Sequence, residues 1–147
     1  MKTETLILLY ERDLKKLAGE VSLYKTDNEL WLVKEGISNS GGNLCLHLLG
    51  NLNHFIGATL GHTGYVRNRE EEFSEKAVPR EELLNSITNC TAVVKETLES
   101  LTTADLEKDF PLEFQGKLLS TAHMLVHLYA HLNYHLGQIN YHRRLLG

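Results

Sequence analysis

Two histidines four residues apart, His131 and His135, stand in the stretch HLNYHLGQI. In an α-helix such a pair lies on one face, one turn above the other. Two imidazoles held that way can grip one metal ion. A third ligand must then come from another element, and His47 in LCLHLLGN is the first candidate. Three neutral imidazoles leave coordination positions for water or a substrate, as catalytic zinc sites do.

Other histidines compete for these places. His123, His127, His131 and His135 recur every four residues. Each step of four advances about 40° around a helix, so the four form one stripe about 120° wide. The stripe is too long for one ion, and spacing alone does not choose a pair. His47, Asn51 and His54 share a second helical face, so His54 is an alternative third ligand. A fourth ligand such as His54 or His127 would make the ion structural rather than catalytic. A lone histidine on an apolar face is more often a packed, hydrogen-bonded residue, and that is the reading for His123, His127 and His54. His62 reads as loop. His142 reads as a cap on the last turn or as solvent-facing. Leu132 stands where a HExxH motif carries its glutamate, so a zincin-type hydrolase is not expected.

The elements that must position these groups follow from apolar periodicity. Residues 3–24 carry Leu6, Leu9, Leu14, Leu17 and Val21 at near-helical spacing. A second helix is expected from Asn39 or Ser40, both good caps, to Gly61. Gly50 and Gly57 inside it point to close approach of a neighbour or to room for a ligand. Residues 63–78 read as a polar loop with the run RNREEEF. Pro79 suits the start of a third helix ending near Leu101. DFPLEFQGK, in the connection after it, reads as a short hairpin. The last helix spans residues 120–146. Trp31 reads as packing an inter-helix loop onto the core. Four amphipathic helices without a strong strand signal give an all-α, up-down four-helix bundle, with a crossover possible between helices two and three. Residues 1–147 form a single domain of ordinary size.

Composition excludes several functions. The net charge is −4 and the pI near 6.0, so no basic field attracts nucleic acid. Cys45 and Cys90 lie far apart in apolar helical contexts and read as reduced core thiols of a cytoplasmic protein. The apolar run at residues 6–10 is too short and too soon interrupted by charge for a signal peptide. No stretch approaches the length of a membrane span.

The pattern His131, His135, Gly137, Gln138 resembles the last helix of the DinB-like superfamily of four-helix-bundle metalloproteins, in which two histidines four apart precede Gly-Gln. His47 in HLLGN matches that superfamily's ligand on the second helix, which favours His47 over His54. Together with RNREEEF, these motifs are similar to one bacterial subgroup without an assigned activity. The resemblance covers nearly the whole chain. It implies one divalent ion, zinc or nickel, on His47, His131 and His135. It also implies a transferase using a low-molecular-weight thiol, the thiolate coming from the cosubstrate. The alternatives are a metal-hydroxide hydrolase and a non-catalytic metal-binding bundle. A small-molecule substrate, no nucleic acid, no membrane and a homodimer complete the expectation.

Supporting roles follow from position. Gln138 could orient His135 or a ligand, and Asn51 could support His47. Tyr134 and Tyr141 could donate to an anion, though boundary packing is the plainer reading. Arg67 and Arg69 could bind a carboxylate or phosphate at the mouth of the site. The plainer reading there is ion pairing with Glu70, Glu71 or Glu72, or a dimer contact.

Overall fold

Helix periodicity decides which faces of this chain leave water. In the computed structural model, which describes residues 1–146, α1 spans Thr3–Leu23 and buries Leu6, Tyr10, Asp13, Leu14, Leu17 and Val21. A 3₁₀ turn, Asn28–Trp31, follows. Helix α2 spans Gly41–Leu52 and continues into a single π-helical turn, Asn53–Ala58. Helix α3 is the short segment Arg69–Ser74. Helices α4 (Arg80–Ser100), α5 (Thr103–Glu107) and α6 (Thr121–Leu146) complete the order. The protein is all-helical, and among the described residues there is no named strand.

Helices α1, α4 and α6 begin and end within a residue or two of their expected limits, whereas α2 ends at Leu52 and its π turn at Ala58, short of the expected stop at Gly61. The short α3 and α5 were not expected. They are too brief for periodicity to register. Each is written in its cap instead: Asn68 accepts from the Glu71 N–H, and Thr102 and Asp105 form a reciprocal capping box. DFPLEFQGK folds back as a tight turn with two isolated bridges, Asp109 to Ser120 and Phe114 to Lys117. Gln115 and Gly116 both take positive φ there, as a two-residue hairpin turn requires.

Helices α1, α2, α4 and α6 share one apolar core. Helix α1 packs on α4 and α6, and α2 packs on α6 and α4. Contacts fix the directions. Tyr10 meets Leu125, Asp13 meets Asn133 and Tyr24 meets His142, so α1 and α6 run parallel. Gly41 lies against His142 while His47 meets His131, so α2 and α6 are antiparallel. Arg80 reaches Ser22 and Lys95 reaches Glu11, so α1 and α4 are antiparallel. These pairings give the order up, down, down, up. Simple alternation fails between α2 and α4, where residues 59–79 cross over.

Helix α2 is the central element. Every residue from Gly41 to Leu52 except Leu46 is buried. Glycine makes that enclosure possible. A Cβ on Gly42 would strike the Trp31 ring, and one on Gly41 would strike the Tyr24 hydroxyl. His142 is buried, where a cap on the last turn or a solvent-facing ring was expected. Its Nδ1 accepts from the Tyr24 hydroxyl at 2.6 Å, and its Nε2–H donates to the Leu32 carbonyl at 2.9 Å. It ties the end of α6 to the loop before α2.

A second polar latch joins α1 to α6. The buried Asp13 carboxylate accepts from Arg12 at 2.8 and 3.1 Å, from Asn133 at 3.1 Å, and from the Tyr129 hydroxyl. Burial works to raise this carboxyl, and the hydrogen bonds overcome it, leaving it below the usual range. Cys45 and Cys90 are buried free thiols, each pushed up to about 12 by burial. Among the described residues, no helix is long and apolar enough to cross a membrane.

Asp13→Ala leaves three donors around an apolar methyl. It should destabilise the protein by about 2 kcal/mol. Urea unfolding should show a lower midpoint with an unchanged slope.

Candidate metal centre

The antiparallel seam between α2 and α6 brings the candidate ligands together. His47 projects from the middle of α2, and His131 and His135 from successive turns of α6. Their Nε2 atoms converge: His131 lies 3.1 Å from both His47 and His135. One ligand atom from each residue falls within 4.8 Å of the others. Separations of 3.1 Å subtend roughly 95° at an ion about 2.1 Å from each nitrogen. The cluster can therefore hold a metal ion.

Hydrogen bonds on the far side of two rings set their tautomers. His47 Nδ1–H donates to Glu72 Oε1 at 3.0 Å. His135 Nδ1–H donates to Gln138 Oε1 at 2.6 Å. Each neutral ring then presents a bare Nε2 lone pair to the centre. A single proton on His131 Nε2 can serve only one of those two lone pairs. A cation serves all three, so the donor set fits a metal.

Glu72 is the residue that sequence reasoning passed over as a site group. It sits on α3, and its carboxylate is clamped by Arg67, with Nε at 2.8 Å and Nη2 at 2.9 Å. The side chains are only 14% and 6% exposed, so solvent screens this pair weakly. Arg67 Nη2 also lies 3.3 Å from His47 Nδ1. That nitrogen already carries a proton, so the carboxylate is the effective acceptor. Arg67 thus takes its plainer reading, an ion pair with Glu72.

Two α2 residues make room for Glu72. A Cβ on Gly50 would occupy the space of the Glu72 carboxylate. Asn43 donates to the Glu72 carbonyl at 2.9 Å and to the Glu75 carbonyl at 2.7 Å, holding the end of α3 against the start of α2. The signal available in sequence was a glycine inside a helix. Gly57 answers the same hint differently, admitting Val93 from α4.

The remaining candidates fall outside the cluster. His54 shares the face of His47 but lies about 10 Å further along the axis, two turns away. Its ring packs on Phe55, and burial, then Arg67, lowers its pKa. His127 packs against the Phe114 ring at a tilt, and His123 is exposed. Arg69 lies over the Phe73 ring. Tyr134 is exposed with its ring 5.2 Å from that of His135. Among the described residues, the buried side-chain atoms without a hydrogen-bond partner are Asn51 Oδ1 and His131 Nδ1.

Burial lowers the pKa of His131 to about 4, with His135 and His47 adding to the shift. His47 moves the same way, burial outweighing the opposing pull of Glu72. The unprotonated state that metal binding needs is already favoured by the fold.

Residues 8–147 match the family described as "Protein of unknown function (DUF1572)". The chain belongs to that family. No curated protein matches it. The DUF1572 chain is similar in fold to the crystal structure of a conserved protein from Enterococcus faecalis, with a TM-score of 0.79 and 19% identity. That match covers 99% of this chain and 98% of the other.

Gly50→Ala should keep the helix but displace Glu72. Zinc affinity should fall about 10–100-fold, as should that of Glu72→Gln. Competition titration with a chromophoric chelator measures this, and unaltered affinity in Gly50→Ala would mean Glu72 does not support the site. The metal-free protein should respond to acid in a set window. Unfolded histidine takes up its proton near 6.5, while His131 in the fold resists until about 4. Between those values the unfolded chain binds more protons, so stability falls as pH falls. Denaturation at stepped pH in chelator should show that slope, and His131→Gln should flatten it.

Proposed function

We propose that this chain is a divalent-metal-dependent enzyme whose ligands are His47, His131 and His135. In this reading it is a single DinB-like domain, a four-helix bundle with a crossover, and the ion is zinc or nickel. The observation that carries the reading is the convergence of three Nε2 atoms, two of them left bare because Glu72 and Gln138 hold the ring proton on Nδ1. Among the described residues, no fourth histidine, cysteine or carboxylate joins the group. Three protein ligands favour an open site over a closed structural one.

The reaction we assign is S-transfer from a low-molecular-weight thiol. When bound, a divalent ion on three neutral imidazoles keeps its full charge and acidifies a coordinated thiol or water. The thiol sulfur forms a bond to an electrophilic carbon, the leaving group departs with its electron pair, and the thiol proton passes to water. The thiol must be a cosubstrate, because Cys45 and Cys90 are buried and protonated. Glu72 fixes the tautomer of His47, Arg67 holds Glu72, and Gln138 fixes His135. Asn51 Oδ1 and His131 Nδ1 are buried polar atoms left without a hydrogen-bond partner beside this machinery. Tyr134 borders the site from solvent.

Alanine at His47, His131 or His135 should abolish stoichiometric zinc or nickel, while His127→Ala should retain it. Elemental analysis of the purified variants measures this. Conjugation of a chlorinated dinitroarene by a panel of thiols should require the same three residues. Full occupancy in His135→Ala would end the assignment of ligands. Loaded protein that turns over esters but no thiol would replace transferase by hydrolase.

A further inference from the structure

A cavity of about 620 Å³ lies one helical turn from His47 and His135, lined by neighbours of the three histidines rather than by the histidines themselves. Its volume falls within the range of small-molecule sites. Two residues connect it to the candidate centre. Gln138 lines the cavity and also holds His135 Nδ1 at 2.6 Å. Leu44 lines it from α2, one turn before His47. Because α2 and α6 are antiparallel, those two positions lie at the same end of the site. Leu44 and Gln138 therefore sit about 5 Å, roughly one helical turn, along their helices from the His47 and His135 positions.

Its chemistry is mixed in an ordered way. Ile37, Leu44, Tyr141 and Leu145 supply apolar surface, and Ile37, Tyr141 and Leu145 are exposed at 41%, 63% and 74%. Large side chains standing in water around a concave space mark a surface that a ligand would cover. Lys34 and Glu35 also line the cavity, with opposite charges that cancel. Nothing there selects a net charge on the occupant. Gln138 is the polar lining group that touches one of the three histidines, at the Nδ1 side of the His135 ring.

We propose that this cavity binds the apolar body of the substrate: a small amphipathic molecule whose polar head reaches the ion past Gln138. The head and body are separated by about four bonds, the length of one helical turn. This rests on the three-histidine reading above and adds the substrate class to it.

The test uses full-length protein loaded with cobalt(II) and a series of alkyl hydroxamates, from acetohydroxamate to octanohydroxamate. The cobalt absorption spectrum reports binding without any need for turnover. Acetohydroxamate is too short to enter the cavity and reports the ion alone. Beyond butanohydroxamate, affinity should rise about fourfold per methylene. Leu145→Glu, at an exposed position that does not threaten folding, should abolish that rise and leave acetohydroxamate affinity unchanged. A flat chain-length series with normal acetohydroxamate binding would overturn the cavity proposal and leave the ion reading standing. An equal rise in wild type and Leu145→Glu would also overturn it. Failure of cobalt to bind, or of acetohydroxamate to alter its spectrum, would overturn the metal reading and this proposal with it.

Discussion

Lone pairs on neighbouring atoms repel, and the fold forces three of them toward one point. His47 and His135 each hold their only ring proton on Nδ1, donated in a hydrogen bond to an oxygen on the outer side, Glu72 for one and Gln138 for the other. His131 stands between them and cannot answer both. The core packs four long helices around this arrangement. Helix α2 supplies one nitrogen while buried on nearly its whole circumference, and α6 supplies two from the flank of its buried stripe. A tightly packed interior gives these rings little freedom to turn away.

Much of this was legible in the residues. Leu125, Leu128, Leu132, Leu136 and Ile139 mark one face of α6, and the histidines follow the same helical arithmetic. The separation of His131 and His135 from His127 was not legible by spacing, because all four histidines obey one rule. What sets His127 apart is Phe114, which arrives from a distant turn. A partner brought from far along the chain leaves no periodic trace.

Glu72 was hidden for a related reason. It is one of three consecutive glutamates, and two of them face solvent. The selecting features are Arg67, Asn43 and the absent side chain at Gly50. None of the three is unusual alone. The direction of α4 was also out of reach, because a long connection can return a helix either way. The crossover keeps α2 and α4 parallel, and it carries α3, with Glu72, over the α2 surface.

The two arms of the histidine cluster are 84 residues apart in the chain. During synthesis His47 leaves the ribosome long before its partners exist. A nascent polypeptide at that stage offers one of the cluster's three imidazoles, with His54 and His62 outside the group. The three-histidine cluster therefore belongs to the finished fold alone. A chain cut short before its last helix carries His47 without His131 and His135.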